Sequence, residues 1–251
     1  MGDAFELDLV LAHGSLPGIV SEPDPGRRAA DLRAYTDLYL REEVQAEALV
    51  RDLGGYARLL DLVAAASGTI LNIHRLCKEA GVRYETARRY IEILEDTLIV
   101  FRVPAYRASA RGQILAHPRL YLFDLGVRNA LLRRPLDRPL DDERGLLLEH
   151  LVAYELHRRT GTLWPDMELA YFRSRHGAEV DFIVRAGSEL WAIEVKSSRN
   201  VTPPMTATVR TIGEHIPDVT RRLLIFLGPR PQRIENVEVL PLQDFLAQLP
   251  S

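Results

Sequence analysis

Cysteine occurs once in the 251 residues, at Cys77, so neither an internal disulfide nor a cysteine-rich zinc site can form, and a reducing cytoplasm is the expected compartment. No basic start followed by an apolar run opens the chain, and no uncharged apolar stretch approaches the length of a membrane span. Neither secretion nor membrane insertion is therefore expected. No Gly-x-x-x-x-Gly-Lys-Ser/Thr occurs, so the chain by itself is expected neither to bind nor to hydrolyse ATP. Lysine is scarce: of 32 lysines and arginines only Lys78 and Lys196 are lysine. Arginine cannot release a proton at usable pH and lysine can, so a lysine placed within a polar cluster has a chemical meaning. A large excess of one charge is also missing. The net charge of −3 argues against a chain that coats nucleic acid non-specifically, although local basic patches remain open.

What is present suits a globular chain with 47 % hydrophobic residues, long enough for one large or two to three small domains. Residues 1–66 read as helices: Leu7 to Leu11 is a short apolar turn, Ala29 to Ala48 carries Leu32, Tyr35, Leu38, Tyr39 and Val44 at helical spacing, and Tyr56 to Ala66 is a third helix. Residues 67–123 read as a winged helix-turn-helix. Its helices are Ile73 to Ala80, ended by Gly81, and Tyr84 to Asp96; Leu98 to Val103 and Arg119 to Phe123 are its wing strands. On DNA, Arg83, Tyr84, Arg88 and Arg89 would face the groove, and Arg107 and Arg111 would reach phosphates. Glu85, Glu92, Glu95 and Asp96 on the same helix oppose that reading and leave protein docking open. Residues 124–144, with the proline-rich and charged Arg133 to Arg144, are taken as a linker. The rest, 145–251, runs helix, three strands, helix, strand, then a terminal strand and helix.

The chemistry concentrates in residues 171–198. Val180, Phe182 and Val184 alternate with Glu179, Asp181 and Ile183, and after a turn Trp191, Ile193 and Val195 alternate with Ala192, Glu194 and Lys196. Such a hairpin converges two carboxylates and one ammonium. A divalent cation relieves the repulsion between the acids, Mg²⁺ being content with a few carboxylate oxygens and retained water, and the lysine can orient or deprotonate that water. Phosphodiester hydrolysis suits this set. A solvated strand face bearing Glu and Lys is the plain alternative. The seven histidines lack metal-ligand spacing, His176 alone lying in the turn before Asp181.

Asp181 followed thirteen positions later by Glu194-Val195-Lys196 resembles the PD-(D/E)XK nuclease signature. Gly145 to Leu156 is similar to the helix that opens archaeal Holliday-junction resolvases, and this resemblance carries Glu149 into the metal site. Tyr35-x-x-x-Tyr39-Leu40-Arg41, Arg88 to Val100, Tyr121-Leu122-Phe123-Asp124-Leu125-Gly126 and the hairpin together resemble the carboxyl half of prokaryotic AAA-type ATPases. There a P-loop domain precedes a helical lid, a winged helix and a nuclease-like domain of unknown function.

The resemblance implies an α+β or α/β chain: a helical lid-like segment and winged helix, then a restriction-endonuclease-like α-β-β-β-α-β domain. It implies Mg²⁺ or Mn²⁺ held by Asp181, Glu194 and the Val195 carbonyl, with Lys196 positioning water and Glu149 assisting. The P-loop half is expected elsewhere or lost. Three readings follow: a metal-dependent nuclease on DNA, an inactive DNA-gripping module, and a docking module for a separate P-loop ATPase.

Overall fold

The computed structural model describes residues 6–39, 52–106, 117–160 and 163–250. The chain divides into two compact units, Met1–Arg102 with Leu120–His150, and Val103–Arg119 with Leu151–Ser251. It is a mixed α+β protein with a six-stranded mixed sheet.

In the first unit, α1 (Leu7–His13), α2 (Pro17–Val20), α3 (Pro25–Ala34), α4 (Leu53–Ala65), α5 (Ile73–Ala80) and α6 (Tyr84–Asp96) lead to β1 (Val100–Val103). β1 pairs with β2 (Arg119–Leu122) in a two-stranded sheet, and α7 (Leu125–Leu131) follows. Side-chain oxygens start several of these helices where backbone N–H groups would lack partners. Asp24 accepts from Arg27 N at 2.7 Å, Asp52 from Gly55 N at 2.8 Å and Asn72 from Arg75 N at 3.0 Å. Gly81, at φ 69°, ends α5 in the left-handed conformation that glycine adopts without a Cβ clash. Leu7 to Leu11, expected as a turn, belongs to a full helix. Beyond α3 a π-helical turn spans Tyr35–Tyr39, while the expected helix from there to Ala48, with Leu40, Arg41 and Val44, lies outside the described residues.

The stretch taken as a linker contains α7, buried along its whole length. Asp124 caps it, accepting from Val127 N at 3.0 Å and from Ser15 N at 2.8 Å. Gly126 passes so close to α1 that a Cβ there would stand 2.0 Å from the His13 carbonyl oxygen. The prolines and charges after Leu131 hid a short apolar run that packs on every side.

His150 is fully buried in this unit. Its Nε2 lies 2.6 Å from the Leu122 carbonyl and its Nδ1 3.5 Å from Ser67 Oγ, which in turn accepts from Leu122 N at 3.2 Å. Burial pushes the imidazole down from 6.5 to about 4. Between those values the unfolded chain takes up a proton that the folded one refuses, so stability is full above 6.5 and falls as the pH drops towards 4. The loss amounts to about 3 kcal/mol, at roughly 1.36 kcal/mol per pKa unit. Denaturant titrations at several pH values should show this slope in the wild type and lose most of it in His150→Gln. An equal slope in both would remove His150 as its source.

In the second unit, the part of α8 (Arg144–His157) beyond His150 is followed by β3 (Met167–Arg173), β4 (Glu179–Ala186) and β5 (Glu189–Val195). The short helix α9 (Ala207–Thr211), flanked by 3₁₀ turns, crosses over to β6 (Arg221–Phe226). β7 (Gln232–Ile234), β8 (Val237–Pro241) and α10 (Leu242–Gln248) complete the unit. The sheet order is β3-β4-β5-β6-β8-β7; β3, β4 and β5 are successively antiparallel, and β5, β6 and β8 are parallel. Strand β7 was not expected from sequence. Ile183, Ala192 and Leu224 pack with Val209 and Ile212 of the crossover. Every β5 residue from Leu190 to Val195 is buried, as parallel pairing in the middle of a sheet demands.

Candidate functional site

Antiparallel pairing of Phe182 with Ile193 sets Asp181 and Glu194 one step further along the same ladder, on the sheet face opposite Phe182. Asp181 Oδ2 accepts from Val195 N at 2.9 Å. Lys196 Nζ donates to Glu194 Oε1 at 2.5 Å, and its main-chain N–H prolongs the β5–β6 ladder by donating to Ile225 O at 2.8 Å. Glu194 is only 8 % exposed, so its face of β5 is not a solvated one. Burying a carboxylate costs free energy unless it is paired, and the lysine supplies that pairing. Burial pushes the Asp181 carboxyl up from its ordinary value, opposed by the Val195 N–H and by the charges of Arg119 and Lys196, and reinforced by Glu179.

Arg119 escaped sequence reasoning. Nearly buried, it is ion-paired with Glu179 and lies 4.9 Å from the Tyr171 ring centre. Arg173 reaches Glu179 from the other side at 3.8 Å. Sixty positions separate Arg119 from Glu179, and no motif spacing ties a β2 residue to β4.

The structure thus brings Asp181, Glu194, Val195 and Lys196 together in the second unit. Glu149 belongs to the first unit, where it accepts from the Tyr121 hydroxyl at 2.9 Å. Glu155, the other glutamate on α8, is held by Arg159 at 2.5 Å and Arg158 at 2.9 Å. Among the described residues no group of three or more His, Cys, Asp or Glu could hold a metal ion. The donors that remain are two carboxylates and the Val195 carbonyl on adjacent strands. This is a hard-oxygen set that fits a cation retaining much of its water, as Mg²⁺ does.

Of the residues expected to face DNA, Arg83, Tyr84, Arg88 and Arg89 are exposed around α6. Arg88 lies 3.4 Å from Glu92 and 3.9 Å from Glu85, and the Tyr84 ring stacks on His74 at 4.5 Å. Arg107 and Arg111 lie outside the described residues.

Residues 4–138, more than half of the chain, match the model of a domain of unknown function, DUF8612. The chain belongs to the DUF8612 family. Residues 144–245 of this DUF8612 chain match a second domain of unknown function, DUF4143, commonly associated with AAA-type ATPases, and that match relates the chain to the ATPase group. The two matched stretches are separated inside the proline-rich Arg133 to Arg144 segment. Two uncharacterized proteins, Mb2031c of Mycobacterium bovis and Rv2008c of Mycobacterium tuberculosis, are each 24 % identical over 97 % of this chain and 52 % of their own length. The chain therefore spans about half the length of these curated relatives. A half-complex from a tetradecameric assembly of Thermococcus gammatolerans McrB AAA+ hexamers with bound McrC is similar at a TM-score of 0.28 and 11 % identity, over 73 % of this chain and 46 % of that one. A likeness that low bears on neither fold nor function. Among the described residues no helix is long and apolar enough to cross a membrane.

Proposed function

We propose that the second unit is a divalent-metal-dependent phosphodiesterase of the PD-(D/E)XK kind acting on nucleic acid, in a chain that works with an AAA-type ATPase domain carried elsewhere. The observation that carries this reading is the joining of Asp181 to Val195 N and of Glu194 to Lys196, which gathers two acids and a lysine at one end of adjacent strands. Asp181, Glu194 and the Val195 carbonyl would hold Mg²⁺ or Mn²⁺. The bound cation would offset charge building on the phosphate. Lys196, having first passed its own proton to solvent, would orient the attacking water and accept its proton, a role closed to arginine. Glu149→Gln tests separately the assisting role that the resemblance gives that residue.

Calorimetric titration of Mg²⁺ or Mn²⁺ into wild type and Asp181→Ala, with cleavage assays on branched and single-stranded DNA from the same preparations, tests the proposal. Metal binding and cutting, both lost in Asp181→Ala, are expected. Absence of binding by the wild type would make the acidic hairpin structural.

A second reading takes the helix–turn–helix of the first unit as a docking piece for the ATPase, a winged helix in the service of protein contact. It is favoured by the engagement of Arg88 with Glu85 and Glu92, which compensates charge on the face expected to meet DNA. Substitution of Arg83 and Arg89, compared below with substitution around the acid–lysine cluster, separates the two.

A further inference from the structure

The end of the sheet that carries Asp181 also carries three loops. Because β3 and β5 run antiparallel to β4, and β6 runs parallel to β5, the β3–β4 turn meets the segments leaving β5 and β6 at this end. The turn is tightly tied. Ser174 N donates to Ala178 O at 2.8 Å, and Ser174 Oγ accepts from Ala178 N at 3.0 Å and from His176 N at 3.3 Å, with Gly177 at φ 90° closing the bend. After β5, Ser198 Oγ donates to Asn200 O at 2.5 Å and Leu227 N donates to Ser198 O at 3.0 Å, which fastens the loop after β5 to the one after β6. Gly228 closes the seam, since a Cβ there would stand 2.6 Å from the Arg199 carbonyl oxygen.

These rigid loops present Arg175, His176, Arg199 and Arg230, all exposed, and no hydrogen bond or ion pair engages any of the four side chains among the described residues. That sets them apart from several other arginines of this unit. Arg119 and Arg173 are taken up by Glu179, Arg221 by Glu238, and Arg210 by Glu235. Guanidinium groups left without carboxylates, on backbone that is already ordered, suit fork-like bonding to phosphate oxygens and lose little entropy on binding.

We infer that Arg175, Arg199 and Arg230, with His176, form a rim that grips the phosphate backbone of a nucleic-acid strand laid across this end of the sheet, over the acid–lysine cluster. The β3–β4 turn holds the strand on one side and the paired loops after β5 and β6 hold it on the other. Contacts of this kind fix the position of a strand and read no bases, so the grip is independent of sequence. The inference rests on the phosphodiesterase reading for its substrate class, and binding without metal tests it apart from cleavage.

Fluorescence anisotropy of a labelled single-stranded DNA oligonucleotide with the full chain in EDTA, across a salt series, is the experiment. The wild type should bind with a falling log K against log salt, and Arg175→Gln/Arg199→Gln/Arg230→Gln should bind at least about tenfold more weakly. The salt slope should become shallower by about 2, at roughly 0.7 for each single-strand phosphate that the variant no longer neutralises. Arg138→Gln, an exposed arginine of the first unit, should leave binding and slope as they are. No binding by the wild type, an unchanged triple variant, or a loss carried instead by Arg83→Gln/Arg89→Gln would each overturn the rim. If the wild type binds through the three arginines yet never cuts with Mg²⁺ or Mn²⁺, the rim stands and the phosphodiesterase reading falls. If it cuts while the triple variant binds normally, the rim falls alone. Equal thermal midpoints are expected, because the three side chains touch nothing that folding needs.

Discussion

Lys196→Ala is expected to lower metal-dependent cleavage by about 10²- to 10⁴-fold, the range spanned by a single positioned proton-transfer group. The substitution also removes the donor to Glu194 Oε1 and leaves a carboxylate that is 8 % exposed without its lysine. Some loss of stability should accompany the loss of rate, about 1–3 kcal/mol for a buried acceptor deprived of its partner. Lys196→Arg separates these effects. A guanidinium can keep the ion pair with Glu194 and hence the fold, but it cannot take a proton from water. The proposed chemistry therefore predicts a Lys196→Arg variant that melts close to wild type and cuts as poorly as Lys196→Ala. Single-turnover cleavage with a thermal melt of each variant is the measurement. A Lys196→Arg enzyme retaining most of its rate would mean that only positive charge is needed there, and the proton would then have to go elsewhere.

Much of the second unit was legible because its signals are local. Period-2 alternation marked β4 and β5, the glycine between them marked the turn, and Glu194-x-Lys196 stood out in a chain almost without lysine. The helices Ile73–Ala80 and Tyr84–Asp96 were legible for the same reason: the apolar spacing and the stop at Gly81 are written within a few residues of each other. Partnerships across long separations were not legible. Nothing near Arg119 in sequence indicates Glu179, and nothing near Ser198 indicates Leu227; the first pair joins residues of two different sheets, and the second meets because β5 pairs with β6. The plain alternative, a solvated face bearing Glu and Lys, fails for Glu194: residues of both faces of β5 are buried, so Glu194 is an acid inside the sheet. The stretch after Phe123 failed for a different reason. Prolines and charges between Arg133 and Arg144 dominated its composition, while Leu125–Leu131 just before them is a helix too short to display an amphipathic period.

That same helix supports the second large expectation, a loss of about 3–5 kcal/mol of stability on Glu143→Ala, the cost of leaving a buried charge without its partner. Arg128, on α7, is 2 % exposed, and its Nη1 donates to Glu143 Oε2 at 2.9 Å and to Asn129 Oδ1 at 2.9 Å. Arg134 holds the other Glu143 oxygen at 2.5 Å. Removing the carboxylate strands the buried guanidinium, because the amide oxygen of Asn129 bears no net charge. Arg128→Met should cost less, since it removes the buried charge together with the bond and leaves Glu143 paired with the more exposed Arg134. The ordering of the two variants tests the idea better than either value alone, and denaturant unfolding near neutral pH would establish it. Burial alone would raise the Glu143 carboxyl, but the hydrogen bonds and charges of Arg128 and Arg134 outweigh it and hold the group below 4.5. Its contribution is therefore complete above 4.5 and fades as the pH falls through the depressed value, beneath the window in which His150 acts. Glu143→Gln should flatten the lower part of the acid limb and leave the upper part to His150. If Glu143→Ala unfolds as late as Arg128→Met, water reaches the guanidinium in the variant and the pair contributes specificity of packing in place of stability.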